Sequence, residues 1–282
     1  EAGESRTIQL QESEGSATLT GTGADADGKV VAYLWSQISG PNASEIVNEG
    51  SSSTEVRKLI VGIYTYQLMV IDDGGATGVD TVSVTVKGPE YITLTLQPAN
   101  NPAEAVIFGN STIDETGTDT KEIGAEAWTK YGDPVALRGI FKFDLSSIPP
   151  TSVIKNAKLS LYSHPAPTNG HHNDEVRANY GSNNTMLIQK VTETWNPGTL
   201  TFNNQPSSAS TNQVVIPSTN QAFLDLVDID VTQLVKDMTG SNANYGFFLR
   251  LQNEVYYNSR IFATSKYSDA ARHPKLVIVY SK

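Results

Sequence analysis

Apolar residues recur at every second position through much of this chain. The runs TVSVTV (81–86), KLSLYS (158–163) and KLVIVYS (275–281) alternate apolar and polar side chains, the period of a strand with one buried face. Clusters of turn residues separate such runs: GTGADADGK (21–29), SGPN (39–42), DDGGATG (72–78), NPGT (196–199) and NNQP (203–206). The pattern predicts an all-β chain. One segment, DIDVTQLVKDMTG (228–240), reads as helix, with Asp230 as cap, Val231, Leu234, Val235 and Met238 on one face, and Gly240 as the stop. Gly88 and Pro89 together break the pattern, so the expected domains are 1–88 and 89–282.

Composition narrows the function classes. Among 282 residues the net charge is −10, so no general positive field draws nucleic acid or anionic membrane. The acidity is uneven, −7 over residues 1–88 and −3 over 89–282. There is no cysteine, which excludes disulfides and thiolate chemistry. No eighteen-residue apolar run exists, and the opening EAGESRTIQL lacks a basic-then-apolar leader. The expectation is a soluble, monomeric mature protein or fragment.

Strand alternation sorts the side chains of the larger domain. In RGIFKFDL, Phe141, Phe143 and Leu145 point one way and Arg138 and Lys142 the other. Trp128 shares a face with Glu126; Tyr162 and His164 oppose Leu159 and Leu161; Arg250 opposes Leu249 and Leu251; Arg260 opposes Ile261 and Ala263. Tyr256 and Tyr257 precede Arg260 on a loop, where alternation leaves at least one of them outward. Aromatic faces stack on the C–H faces of sugar rings, and guanidiniums make forked bonds to uronate carboxylates. If the arginines share a face near Trp128 and the two tyrosines, a uronate-rich chain fits across them, with the Tyr162 and His164 edge as the alternative site. Trp195 and Phe202, flanking NPGTL, read as structural.

Two sets of acids suggest calcium, which takes clustered carboxylates on turns: Asp25, Asp27 and Asp72 or Asp73 in the first domain, and Asp114, Glu115 and Asp119 in the second. Asp also suits turns through bonds to the backbone. His171, His172 and Asp174 invite zinc, but a polar loop is the simpler account. No nucleophile motif or P-loop is present. A glycosidase pair is defined by distance rather than spacing, and the acids most open to suspicion, Glu126 and Asp144, serve equally well as cross-strand partners for Arg138 or Lys142.

Two resemblances organise these readings. Residues 1–88, with Asp-x-Asp-Gly before the strand of Trp35 and then GIYTYQLMVIDDGG, resemble the polycystic-kidney-disease (PKD) type of immunoglobulin-like domain. That implies a β-sandwich spacer beside extracellular modules. From about residue 104, RGIFKFDLSSIPPTSVIKNAKLSLY, IQKVTETWNPGTLTFNNQP, LDLVDIDVTQLVKDM, NYGFFLRLQ and RHPKLVIVY resemble the DNRLRE family and the alginate-binding carbohydrate-binding modules of family 96. That implies a β-jelly-roll sandwich that binds polysaccharide without catalysis, in a secreted or cell-surface bacterial protein. A structural or adhesive module contacting protein or its own copies is the rival expectation.

Overall fold

The computed structural model describes all residues except 99–103, 111, 118–120, 170, 173–174 and 241–242. The chain forms two compact units, Glu1–Tyr91 with Ser281–Lys282, and Ile92–Tyr280.

The first unit contains β1 (Arg6–Gln9), β2 (Gly15–Thr20), β3 (Val30–Ser39), β4 (Glu45–Ile46), β5 (Ser53–Leu59), β6 (Gly62–Asp72) and β7 (Thr77–Lys87). They form two sheets, β1-β7-β6-β3 and β2-β5-β4. Period-two alternation sends Tyr64, Tyr66 and Leu68 of β6 and Val82, Val84 and Val86 of β7 into the core around Trp35, which is 1% exposed. The buried polar tips are paired: Trp35 Nε1 donates to Ser51 O at 2.9 Å, and the Tyr66 hydroxyl to Ser44 Oγ at 2.8 Å. Removing so large a filler costs about 3–5 kcal/mol, so Trp35 belongs to the core and not to a ligand surface.

The strands that follow are β8 (Tyr91–Leu96), β9 (Glu104–Gly109), β10 (Asp114–Gly117), β11 (Glu122–Lys130), β12 (Asp133–Phe141), β13 (Ile154–Leu161), β14 (His171–His172), β15 (Glu175–Val176), β16 (Asn179–Tyr180), β17 (Met186–Val191), β18 (Ser208–Ile216) and β19 (Leu226–Asp230). After helix α1 (Thr232–Lys236) come β20 (Phe247–Leu251), β21 (Asn258–Ala263) and β22 (Lys275–Ser281). The larger sheet runs β16-β21-β11-β12-β20-β17-β18, with β9 also on β12 and β10 on β9; the smaller runs β19-β13-β22-β8. Phe141, Phe247, Leu249 and Ile188 of the larger sheet share one core with Leu159, Leu161, Leu276 and Ile278 of the smaller. The alternate residues Ile140, Phe248 and Val191 form a second cluster with Leu200, against which Trp195 and Phe202 pack. Both faces of these central strands are therefore buried, one by the facing sheet and one by the 192–205 connection.

The helix is shorter than its sequence pattern predicts. Asp230 lies in β19, opposite Lys158, and its carboxylate accepts from Lys158 Nζ at 2.8 Å and from the Thr232 N–H at 3.0 Å. The strand pairing holds the chain extended until Val231, leaving five helical residues. Val231, Leu234, Val235 and Met238 are nevertheless all buried, as the apolar spacing requires.

Candidate functional site

Strand β11 sets which residues share a face. Ala125 stands directly opposite both Arg138 of β12 and Arg260 of β21, whereas Glu126 stands opposite Leu137 and Ser259. Directly opposed residues project to the same side of an antiparallel sheet. Trp128 lies on the Glu126 side, and Tyr180 joins that side through its pairing with Ser259. The Trp128 ring meets Tyr180 with centroids 5.8 Å apart and Tyr257 at 4.9 Å, both edge to face, and Tyr257 in turn meets Tyr256 at 5.6 Å. Four aromatic side chains from three segments thus form one cluster.

The loop before β21 is shaped to present its tyrosines. Tyr256 and Tyr257 are 48% and 49% exposed, so neither packs inward. Strand alternation fails here because Tyr257 has φ +66°, a left-handed conformation unusual for an aromatic residue. The Asn258 amide fixes the turn, donating from Nδ2 to Val255 O at 2.9 Å and accepting the Asn183 N–H on Oδ1 at 2.7 Å. Gly181, at φ +77°, makes that approach possible, since a Cβ there would lie 2.1 Å from Asn258 Oδ1.

Beside the cluster is a pocket of ≈ 310 Å³ lined by Phe108, Glu126, Trp128, Thr129, Lys130, Leu137, Thr168 and Asn169. Two acids of β11, Glu122 next to the pocket and Glu126 in its wall, differ sharply in how well they are satisfied. Glu122 accepts the backbone N–H of Thr168 at 2.7 Å and of Asn169 at 3.2 Å, together with Asn169 Nδ2 at 2.6 Å. Glu126 is 3% exposed and has no cation opposite it. Burial, with a further contribution from the Glu122 charge, pushes its carboxyl well above the usual carboxylate range. The expected partnership of Glu126 with Arg138 fails by one residue of register, since Arg138 faces Ala125. Asp144 accepts the Ser146 N–H at 2.9 Å within its own turn.

The arginines lie on the other face of β11 from Trp128. Arg138 donates from Nε and Nη2 to the two oxygens of Glu254, each at 2.7 Å, and from Nη1 to Gln205 Oε1 at 2.7 Å. Its guanidinium also covers the Phe202 ring at 4.8 Å. Arg250 approaches Glu254 at 3.7 Å. Arg260 corrects the expectation of an outward guanidinium: it is 0% exposed, donates from Nη1 to Pro217 O at 3.0 Å, and among the described residues finds no partner for Nε or Nη2. Burial without a counter-charge lowers it to about 10.

His164 also turns inward. It is 6% exposed, accepts the Ala166 N–H on Nδ1 at 3.2 Å, and meets the Tyr267 ring edge-on at 4.8 Å, with Nε2 unpartnered among the described residues. Tyr162 is half-buried. The edge proposed as an alternative site therefore lacks its histidine.

Of the candidate calcium ligands, Asp72 accepts the N–H groups of Gly74 and Ala76 at 2.9 and 2.8 Å. Asp25 and Asp73 flank Gly28. Asp114 accepts the Asn203 N–H at 2.9 Å, which holds its carboxyl below the usual range. Asp27 is exposed. Asp119, Asp174 and the side chains of His171 and His172 lie outside the described residues. Among the described residues no three His, Cys, Asp or Glu side chains group as metal ligands.

Sequence reasoning missed Tyr180, Phe108 and Glu254. Tyr180 sits on a two-residue strand, too short to show an alternation. Phe108 needs the β9–β12 pairing to come near Trp128. Glu254 had a signal, its i,i+4 spacing from Arg250.

The sequence profile described as K319L-like, PKD domain matches residues 2–86, and that of carbohydrate-binding module family 96 matches residues 117–280. Mouse dyslexia-associated protein KIAA0319-like protein is 30% identical over 131 residues, 44% of this chain and 12% of that protein. Human dyslexia-associated protein KIAA0319 is 30% identical over 131 residues, 43% of this chain and 11% of that protein. The chain thus spans only about an eighth of these relatives' length. A solution structure of the PKD domain from KIAA 1837 protein is 33% identical, covering 31% of this chain and 84% of that one, with TM-score 0.28. With more than half its length matched, the chain belongs to carbohydrate-binding module family 96 and carries a K319L-like PKD domain ahead of that module.

Proposed function

We propose that the second unit binds a polysaccharide without catalysis, across the surface formed by Trp128, Tyr180, Tyr256 and Tyr257, and that the PKD domain is its spacer in a larger secreted or cell-surface protein. The family supports a carbohydrate ligand. The observation that carries the site is the continuous aromatic cluster, whose two loop tyrosines are each about half exposed. Rigid aromatic rings lose little conformational entropy on binding and stack on sugar C–H faces.

A preference for uronate-rich chains gains little from the arginines. Arg138 and Arg250 share Glu254, Arg260 is buried, and all three lie across the sheet from Trp128. Stacking, and not a guanidinium field, is the basis of this reading. Affinity electrophoresis of the chain in gels containing neutral or anionic polysaccharides tests it. Retardation by at least one supports the reading, and retardation by none would favour an adhesive module.

A further inference from the structure

The carboxyl of Glu126 has no use in the fold. It is 3% exposed, opposed across the sheet by Leu137 and Ser259, and among the described residues it accepts and donates no hydrogen bond. A carboxyl shielded from bulk water gains from a hydrogen-bonding partner, and this one lines an ≈ 310 Å³ pocket whose walls include Trp128 and Phe108. Its neighbour Glu122 is different, since three N–H donors from Thr168 and Asn169 satisfy it.

We propose that this pocket is a subsite for one uncharged, hydroxyl-bearing sugar residue, held by hydrogen bonds between its hydroxyls and the Glu126 carboxyl and by contact of its ring with Trp128. The inference rests on the polysaccharide reading above and adds the chemical class taken at one position. A protonated carboxyl both donates and accepts, as a sugar hydroxyl does, so the two satisfy one another without charge. The Glu122 charge, one of the two causes that raise the Glu126 carboxyl, also disfavours a uronate carboxylate beside it. The nearby ammonium of Lys130 is engaged by Glu115, which leaves it no free charge with which to attract one. An apolar ligand would leave the carboxyl as unpaired as it is now.

Calorimetric titration with a neutral gluco-oligosaccharide, an oligouronate and an oligoglucosamine decides the class, using the whole chain and the variants Glu126→Gln and Glu126→Met. Gln keeps a donor and an acceptor, while Met is an apolar replacement of similar volume that a buried site tolerates. The expected result is strongest binding of the neutral oligosaccharide, affinity within about 3-fold of wild type for Gln, and a loss of about 10-fold or more for Met, on the scale of an unmade buried hydrogen bond. Undiminished binding by Met overturns the subsite while leaving the aromatic surface intact. Preference for the oligoglucosamine would assign Glu126 to a cation, and preference for the oligouronate would exclude it from the site; either overturns the proposal. Failure of the wild type to bind any of the three overturns the subsite, while the polysaccharide reading stands or falls on the affinity electrophoresis.

Discussion

Arg138 and Glu254 are joined by two parallel hydrogen bonds of 2.7 Å, and the pair ties β12 to the connection between β20 and β21 that carries Tyr256 and Tyr257. Forked guanidinium–carboxylate pairs are the strong members of their class. With side chains only 15% and 20% exposed, this one is more shielded than a surface ion pair.

Arg138→Ala is therefore expected to lower stability in urea denaturation by about 2 kcal/mol, because Glu254 is left half-buried with only Arg250 near it. The double variant with Glu254→Ala should cost less than the two single changes together. A change below about 0.5 kcal/mol for Arg138→Ala would show the pair to be a surface ornament.

Arg260 behaves in the opposite way. Its buried guanidinium lacks a counter-charge, and its folded value of about 10 lies below the ordinary guanidinium range. A base depressed by folding disfavours the folded state while charged, and the penalty is relieved only as pH rises above about 10. At neutral pH, Arg260→Met should leave the melting temperature unchanged or raise it, since apolar replacement of a buried charge is commonly neutral or stabilising. A fall of several degrees would mean that its bond to Pro217 outweighs the burial cost.

For Glu126 the sign reverses again, because folding raises this carboxyl well above its reference of 4.5. The folded state favours the neutral acid, so its contribution to stability is complete below pH 4.5 and falls as pH rises from there towards the folded value. Glu126→Gln cannot ionise. Its melting temperature relative to wild type should rise between pH 4.5 and pH 8, and a constant difference across that range would refute a raised carboxyl.

The strand pattern and the inward faces were legible in the sequence because period-two alternation depends only on which side of a sheet is dry. Trp35, Tyr64 and Tyr66 are buried as that alternation requires, and Trp128 shares a face with Glu126 as read. What alternation does not contain is cover. Arg260 and His164 alternate with apolar strand neighbours, yet both are buried, beside Pro217 and Tyr267 respectively. Tyr257 escaped the rule through its positive φ, and the Arg138 partner followed from register, which a single strand does not reveal.

Calcium is separable by melting curves. Asp72 and Asp114 accept backbone N–H groups, a role Asp has in turns without a metal. Equal midpoints in excess calcium and in chelator are expected. A midpoint raised by calcium and returned by chelator would place an ion on the chain, by preferential binding to the folded state.

The central claim is that the contact of Trp128 with Tyr257, 4.9 Å between rings, builds a carbohydrate surface. The most direct measurement is calorimetry of the best-retained polysaccharide against the wild type, Trp128→Ala and Tyr257→Ala, with folding verified for each variant. Each substitution is predicted to cost about 1–3 kcal/mol of binding, in line with aromatic anchors elsewhere, while Arg250→Ala changes the affinity for a neutral chain by less than about 0.5 kcal/mol. Full affinity in both aromatic variants would contradict the account and move the binding surface off this face of β11.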